Sequence, residues 1–146
     1  MLGDYRKVIR YWLPVVLWIA IILATSNDLF SSAHSGNLLA SLFSFLTPHQ
    51  LEIVNIILRK LAHLTGYGIL GWLGFRAARA DQRGFAMRWA VIGVVIAMIV
   101  GSIDEWHQTT VPSRGGSPID VGVDTIGAIV AVWIAQLFAA ARNARR

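Results

Sequence analysis

Long apolar runs alternate with short basic or polar segments along the chain. The apolar runs predict membrane-spanning helices over about residues 8–25, 51–75, 89–104 and 119–141, because a helix needs about 20 apolar residues to cross a bilayer. The pattern therefore predicts an all-α membrane protein, a bundle of about four transmembrane helices in one domain covering residues 1–146.

The segment 26–50 between the first two spans is mixed in character. Its leucines and Phe43 predict a short helix that lies in the membrane interface. Thr47, Pro48 and Gln50 then form a helix-start pattern, with an N-cap, a proline in the first turn and a glutamine that completes a capping box.

The first apolar run has two interpretations. Ala24-Thr25-Ser26 resembles the small-residue cleavage site of a signal peptide. Trp12 and Trp18 favour a permanent span, because tryptophan is enriched at membrane interfaces. The permanent span is the preferred interpretation, and under both the next segment begins outside the cytoplasm.

Composition supports the membrane assignment. The chain is 55% hydrophobic and only 14% charged, whereas soluble domains carry roughly 25% charged residues. It has no cysteine, which excludes disulfides and thiolate metal sites. The net charge of +5 arises from basic clusters beside apolar runs, so it indicates cytoplasmic helix ends and does not predict a nucleic-acid partner.

The basic residues also predict the orientation. Ten lie before the first span, in the loop between the second and third spans, or at the C-terminus, and the other three are Arg59, Lys60 and Arg114. By the positive-inside rule both termini are cytoplasmic. The four predicted spans make the chain a multi-pass membrane protein.

Small residues gather in three spans. The second span carries Gly66, Gly68, Gly71 and Gly74 in its second half. In the third span Gly93, Ala97 and Gly101 repeat every four residues, and in the last span Gly127 shares one face with Asp124. Such faces allow helices to approach closely. They predict packing inside the bundle, or contacts in a homo-oligomer.

Polar residues gather in three segments that end at the face opposite the basic loops. Because charges at membrane depth are costly and usually face a bundle interior or a wet cavity, these segments are expected to meet. They are Lys60, His63 and Tyr67; Asp104, Glu105 and Gln108; and Arg114, Asp120 and Asp124.

The same residues, with Leu70-Gly71, Pro112 and Gly127, resemble the VanZ-like family of bacterial membrane proteins over about residues 57–130. The resemblance implies a small polytopic protein of the bacterial inner membrane. It also implies an envelope role, since the founding member is tied to low-level resistance to the glycopeptide teicoplanin. The chain departs from the family's D-x3-N-x2-G pattern at Asp124, where an asparagine is expected.

Each candidate residue also has a purely structural interpretation. Lys60 either binds an anionic head group or pairs with Asp104 or Glu105. His63 and Glu105, with Asp104 orienting, could transfer protons, or could be hydrogen-bonded packing residues. Arg114 either binds an anion or pairs with Asp120, and Asp120 either binds substrate or caps a helix together with Ser117. Asp124 either pairs with Lys60 or stays protonated. Tyr67 and Gln108 either bind substrate or have only a packing and orienting role.

Three functions stay open from the sequence. The first is binding or processing of an anionic envelope lipid or a lipid-linked cell-wall precursor, with Lys60 and Arg114 on the head group. The second is a small transporter or proton relay, and the third is a non-catalytic scaffold. No cofactor is expected. The carboxylates of Asp104 and Glu105 could hold a divalent ion with His63 or His107, but no metal is assigned because no H-E-x-x-H spacing occurs. Enzymatic activity is left open.

Overall fold

The computed structural model describes residues 2–26, 32–111 and 115–144. Within those ranges the protein is all-helical. The helices are α1 (Leu2–Thr25), α2 (Ser32–Leu42), α3 (Pro48–Arg79), α4 (Met87–Gln108) and α5 (Pro118–Ala144). The four predicted spans each lie within one helix, namely α1, α3, α4 and α5.

Three of the described helices are long and apolar enough to cross a membrane, at Tyr5–Thr25, Met87–Gln108 and Pro118–Ala141. The exception among the long helices is α3, which has 32 residues. Its length is sufficient, but glycines, His63 and basic residues dilute its apolar run. Many large apolar side chains on the bundle are exposed, as expected for a surface that faces lipid.

The start of α3 forms as its sequence predicts. The Thr47 hydroxyl accepts a hydrogen bond from the Gln50 backbone N–H at 3.3 Å, and the Gln50 side chain accepts one from the Thr47 N–H at 2.9 Å. This capping box satisfies two backbone donors that would otherwise lack partners. The helix then runs unbroken to Arg79, and the turn begins at Ala80 with a positive φ of 47°.

Glycines hold α3, α4 and α5 in close contact, as their spacing predicts. A Cβ on Gly71 would lie 2.6 Å from the Ala128 Cβ. A Cβ on Gly93 would collide with the Gly71 carbonyl, and one on Gly127 with the Leu64 carbonyl. We call these contacts the glycine seam. The seam is buried within one chain, and the homo-oligomer stays a prediction.

Helix α1 packs along α3. Tyr11, Val15 and Ile22 belong to the main apolar core with residues of α3 and α4. The Trp18 indole N–H donates to the Gly66 carbonyl at 2.8 Å. The Tyr11 hydroxyl donates to Asp81 in the α3–α4 loop at 2.5 Å.

The bundle has two chemically different ends. At the basic end α3 finishes and α4 begins, and Lys7 lies 3.0 Å from Asp81 in an exposed ion pair. The Tyr11 hydroxyl bond, and secondly Lys7, hold the pKa of Asp81 below its usual value. At the polar end α4 finishes and α5 begins, and there the predicted site residues meet.

Candidate functional site

The core of the site lies where α3, α4 and α5 meet near the polar end. The His63 Nδ1 is 3.1 Å from the Asp124 Oδ1, which joins α3 to α5. Asp124 is completely buried. The Tyr67 ring, one turn along from His63, stacks at 6.0 Å between ring centroids. The predicted alternative partner of Asp124 was Lys60, and the structure places His63 there instead.

The end of α4 contributes two buried carboxylates. Asp104 accepts a hydrogen bond from the Gln108 side-chain amide at 2.9 Å. Glu105 accepts one from the Ser117 backbone N–H at 2.7 Å, which ties the end of α4 to the start of α5. Gly116 makes this connection possible, because a Cβ there would collide with the Glu105 carbonyl. The Tyr67 hydroxyl lies beside Asp104 without a direct hydrogen bond between them.

Lys60 pairs with Asp120 at the rim of the site. The Lys60 Nζ is 2.5 Å from the Asp120 Oδ1, and both side chains are partly exposed. Lys60 therefore pairs with neither of the two predicted structural partners, Asp104 and Glu105. The Asp120 carboxylate is engaged in this ion pair. The Ser117 hydroxyl accepts a hydrogen bond from the Ile119 backbone N–H at 3.2 Å.

Several buried oxygens of the site have no hydrogen-bond partner in the described part of the chain. They include one oxygen of each buried carboxylate: Asp104 Oδ1, Glu105 Oε1 and Asp124 Oδ2. An unpaired buried polar atom costs about 1–3 kcal/mol, and more when it is charged. These three oxygens therefore lie where a further cation, proton or donor would be stabilised.

Eight of the nine predicted site residues lie in the described ranges, and all eight fall into two neighbouring groups. His63, Tyr67, Asp104, Glu105, Gln108 and Asp124 form the buried cluster, while Lys60 and Asp120 form the rim pair. The ninth, Arg114, lies outside the described residues. Whether any of them acts in catalysis or binding stays a prediction.

A pocket of about 370 Å³ opens between α1 and α3 beside this cluster. Trp18, Ile21 and Ile22 form an apolar wall, and Arg59 and His63 line its polar part. Asp104 and Tyr67 also reach the pocket, as do Thr25 and Ser26 at the end of α1.

Arg59 is a pocket residue that the sequence analysis did not assign to the site. It is half-buried, and no ion pair involves it among the residues described. Its spacing could have assigned Arg59 to the site, since residues 59, 62, 63 and 66 share one face of a helix. The adjacent Lys60 points to Asp120 on a different face.

Comparison with known proteins gives one family. A family model described as VanZ/LLP1 matches residues 11–139, which is most of the chain. No curated protein and no solved structure matches it.

Proposed function

Because the chain belongs to the VanZ/LLP1 family, we propose that it binds an anionic envelope lipid or a lipid-linked cell-wall precursor at the outer face of a bacterial cytoplasmic membrane. The family resemblance predicted from the motifs is thereby confirmed. In the proposed arrangement α1, α3, α4 and α5 cross the membrane, both termini are cytoplasmic, and α2 lies in the interface.

The charge distribution supports this orientation. Ten of the thirteen basic residues lie in the first turns of α1, at the end of α3, in the α3–α4 loop, at the start of α4 or at the C-terminal end of the chain. Such residues are retained on the cytoplasmic side. The basic end then faces the cytoplasm and the polar end faces outward. The pocket between α1 and α3 opens at lipid depth in the outer half.

The pocket is the single observation that carries the proposal. Its wall of Trp18, Ile21 and Ile22 suits an acyl or isoprenyl chain, while Arg59 suits a phosphate or carboxylate. The Ser26 hydroxyl is buried at the same end with no partner among the described residues. An apolar groove that ends in a guanidinium and a hydroxyl matches an anionic amphiphile.

Lys60, which the sequence predicted to bind the anionic head group, does not have that role in this proposal. Its charge is compensated by Asp120, and it is not among the residues that line the pocket. Arg59 takes over the role of head-group cation. Arg114 keeps its proposed role as a second anion-binding residue.

Lipid-resolved mass spectrometry of the purified protein tests the proposal. Ala62 lines the pocket, so Ala62→Trp should fill it and lower the retained anionic lipid at least tenfold, which corresponds to about 1.4 kcal/mol. Arg59→Gln should lose anionic lipid and keep zwitterionic lipid. Leu61→Trp is the matched control, because Leu61 is exposed and lies outside the pocket.

The same variants test the envelope role. If the bound lipid is a cell-wall precursor, expression of the protein should raise tolerance to teicoplanin, and Ala62→Trp should abolish this at an unchanged protein level. Identical lipid profiles in wild type, Ala62→Trp and Arg59→Gln would contradict lipid binding in this pocket.

The glycine seam argues against the proton-relay alternative. A relay needs polar groups or water through both halves of the bundle. Below the cluster, Gly71 packs on Ala128 and Gly93 packs on Gly71 and Phe75, with no room for a Cβ. Proton flux in liposomes that depends on Glu105 would restore the relay as the better proposal.

A further inference from the structure

Three side chains of the buried cluster aim potential metal-ligand atoms at one point. They are His63 on α3, Glu105 on α4 and Asp124 on α5, and one ligand atom from each lies within 4.8 Å of the others. The His63 Nδ1 and the Asp124 Oδ1 lie 3.1 Å apart, so these two side chains are already held next to each other. Ligand atoms around a tetrahedral Zn²⁺ lie about 3.4 Å apart, so small side-chain movements bring the three groups to coordination distance.

The two carboxylates present free oxygens at this point. Asp124 Oδ2 and Glu105 Oε1 have no hydrogen-bond partner in the ranges described, and their side chains are 0% and 5% exposed. The other oxygen of each is fixed, by His63 and by the Ser117 N–H respectively. Each carboxylate is thus held in place by one oxygen and leaves the other available to a ligand.

The local charge favours a cation with more than one positive charge. His63 lies in the field of three carboxylates, Asp124, Glu105 and Asp104. Lys60 compensates Asp120 at the rim. Within the described residues of the cluster, the imidazole is the one group that can carry a positive charge, and buried unpaired carboxylates are strongly disfavoured.

A glycine on α4 keeps the space open. A Cβ on Gly101 would lie 3.1 Å from Asp124 Oδ2 and 3.5 Å from the Tyr67 ring. The glycine therefore leaves room beside the free oxygen that a larger residue would fill. His63 and Asp104 also line the pocket, so a bound ion could keep coordination positions open toward it.

From this geometry we propose that His63, Glu105 and Asp124 form a site for a divalent transition-metal cation. The donor set of one imidazole nitrogen and carboxylate oxygens suits Zn²⁺ or Mn²⁺. The linear sequence hides this site because each ligand comes from a different helix, so no H-E-x-x-H spacing arises. The site does not depend on lipid binding.

Metal analysis of the purified full-length protein tests the site. After treatment with a chelator and dialysis against Zn²⁺ or Mn²⁺, wild type should retain about one equivalent per chain by mass spectrometry of the metal. Glu105→Gln and Asp124→Asn should each weaken binding at least tenfold, since even outer-sphere changes at metal sites cost about 10–100-fold. Co²⁺ as a probe should show visible ligand-field bands that both variants lose.

Glu52→Gln is the matched control, because it removes an exposed carboxylate from α3 outside the cluster. It should retain the full equivalent of metal. Ala62→Trp should also retain metal while losing lipid, which separates this proposal from the proposed function.

Two results would overturn the metal site. One is that wild type retains no stoichiometric metal and its melting temperature does not rise with Zn²⁺ or Mn²⁺; protons then neutralise the carboxylates. The other is equal binding by wild type and Glu105→Gln. The melting measurement needs wild type alone, so the proposal is testable even if a ligand variant fails to fold.

Discussion

The glycine seam and the buried polar cluster occupy neighbouring parts of the same three helices and are built in opposite ways. In the seam, Gly71, Gly93 and Gly127 bring backbones into contact and leave no space for a Cβ. In the cluster, Asp104, Glu105 and Asp124 each bury an oxygen without a partner among the described residues. The seam maximises packing, whereas the cluster accepts an energetic cost that a cation, a proton or a hydrogen-bond donor removes.

This difference indicates that the seam has a structural role and the cluster a functional one. Dense packing without polar side chains stabilises a bundle in a membrane, where van der Waals contact drives helix association. Buried groups with unsatisfied bonds are typical of functional sites, which trade stability for activity. The seam therefore provides the rigid base on which the cluster is held.

The largest expected effect comes from a single methyl group in the seam. Gly127→Ala places a Cβ against the Leu64 carbonyl, so we expect a loss of about 1–3 kcal/mol in the free energy of unfolding from overpacking. Gly122→Ala, on the same helix, has open space around its Cβ and should stabilise by about 0.5–1 kcal/mol. Thermal or denaturant unfolding in detergent, followed by circular dichroism, measures both.

Equal stabilities of these two alanine variants would show that the seam is looser than its geometry indicates. The contrast with the polar cluster would then disappear.

A smaller effect of opposite sign is expected in the cluster. Asp104→Asn keeps an acceptor for Gln108 and removes a buried charge, and its new amide can donate to the Tyr67 hydroxyl. In the presence of a chelator, the free energy of unfolding should rise by about 1 kcal/mol. Glu52→Gln, which changes an exposed acid, should leave it unchanged, and destabilisation by Asp104→Asn would mean that the carboxylate is already compensated.

The smallest effect lies at the basic end, where Lys7 and Asp81 are exposed. The Tyr11 hydroxyl and Lys7 depress the pKa of Asp81 in the folded protein. These two contacts therefore stabilise the folded state fully at a pH above the pKa that Asp81 has in the unfolded chain, and the stabilisation is lost as the pH falls through the lower pKa of Asp81 in the folded protein. A pH series of melting temperatures should show a slight decline below about pH 4. Asp81→Asn should flatten that part of the curve, and an unchanged curve would mean that the pair contributes nothing.

The sequence predicts much of the fold because its signals are local. The capping box at Thr47 and Gln50 forms as the motif predicts, and each apolar run lies within one helix. The glycine spacing correctly indicates which faces pack. The number of membrane crossings stays a prediction, because α3, which contains the span predicted over residues 51–75, is not among the three helices that are apolar enough to cross a membrane.

The pairing within the site is not predictable from spacing. Lys60 bonds to Asp120 and His63 to Asp124, although Asp104, Glu105 and Asp124 were equally plausible partners for Lys60. The choice depends on how α3 and α5 are rotated about their axes, which the tight fit of Gly127 on Leu64 fixes. Arg59 was overlooked because its role depends on α1, which forms the other wall of the pocket.

The composition of α3 has a consequence for how the protein is made. A lysine or arginine costs free energy during membrane insertion, up to about 2.5–3.5 kcal/mol at the centre of a helix, and α3 carries Arg59 and Lys60 together in its first half. The residues that compensate Lys60 and His63 lie on α5, which leaves the ribosome after α3. We therefore expect α3 to settle in the bilayer only after α5 has been synthesised, so that the central helix of the bundle is the last to reach its final position.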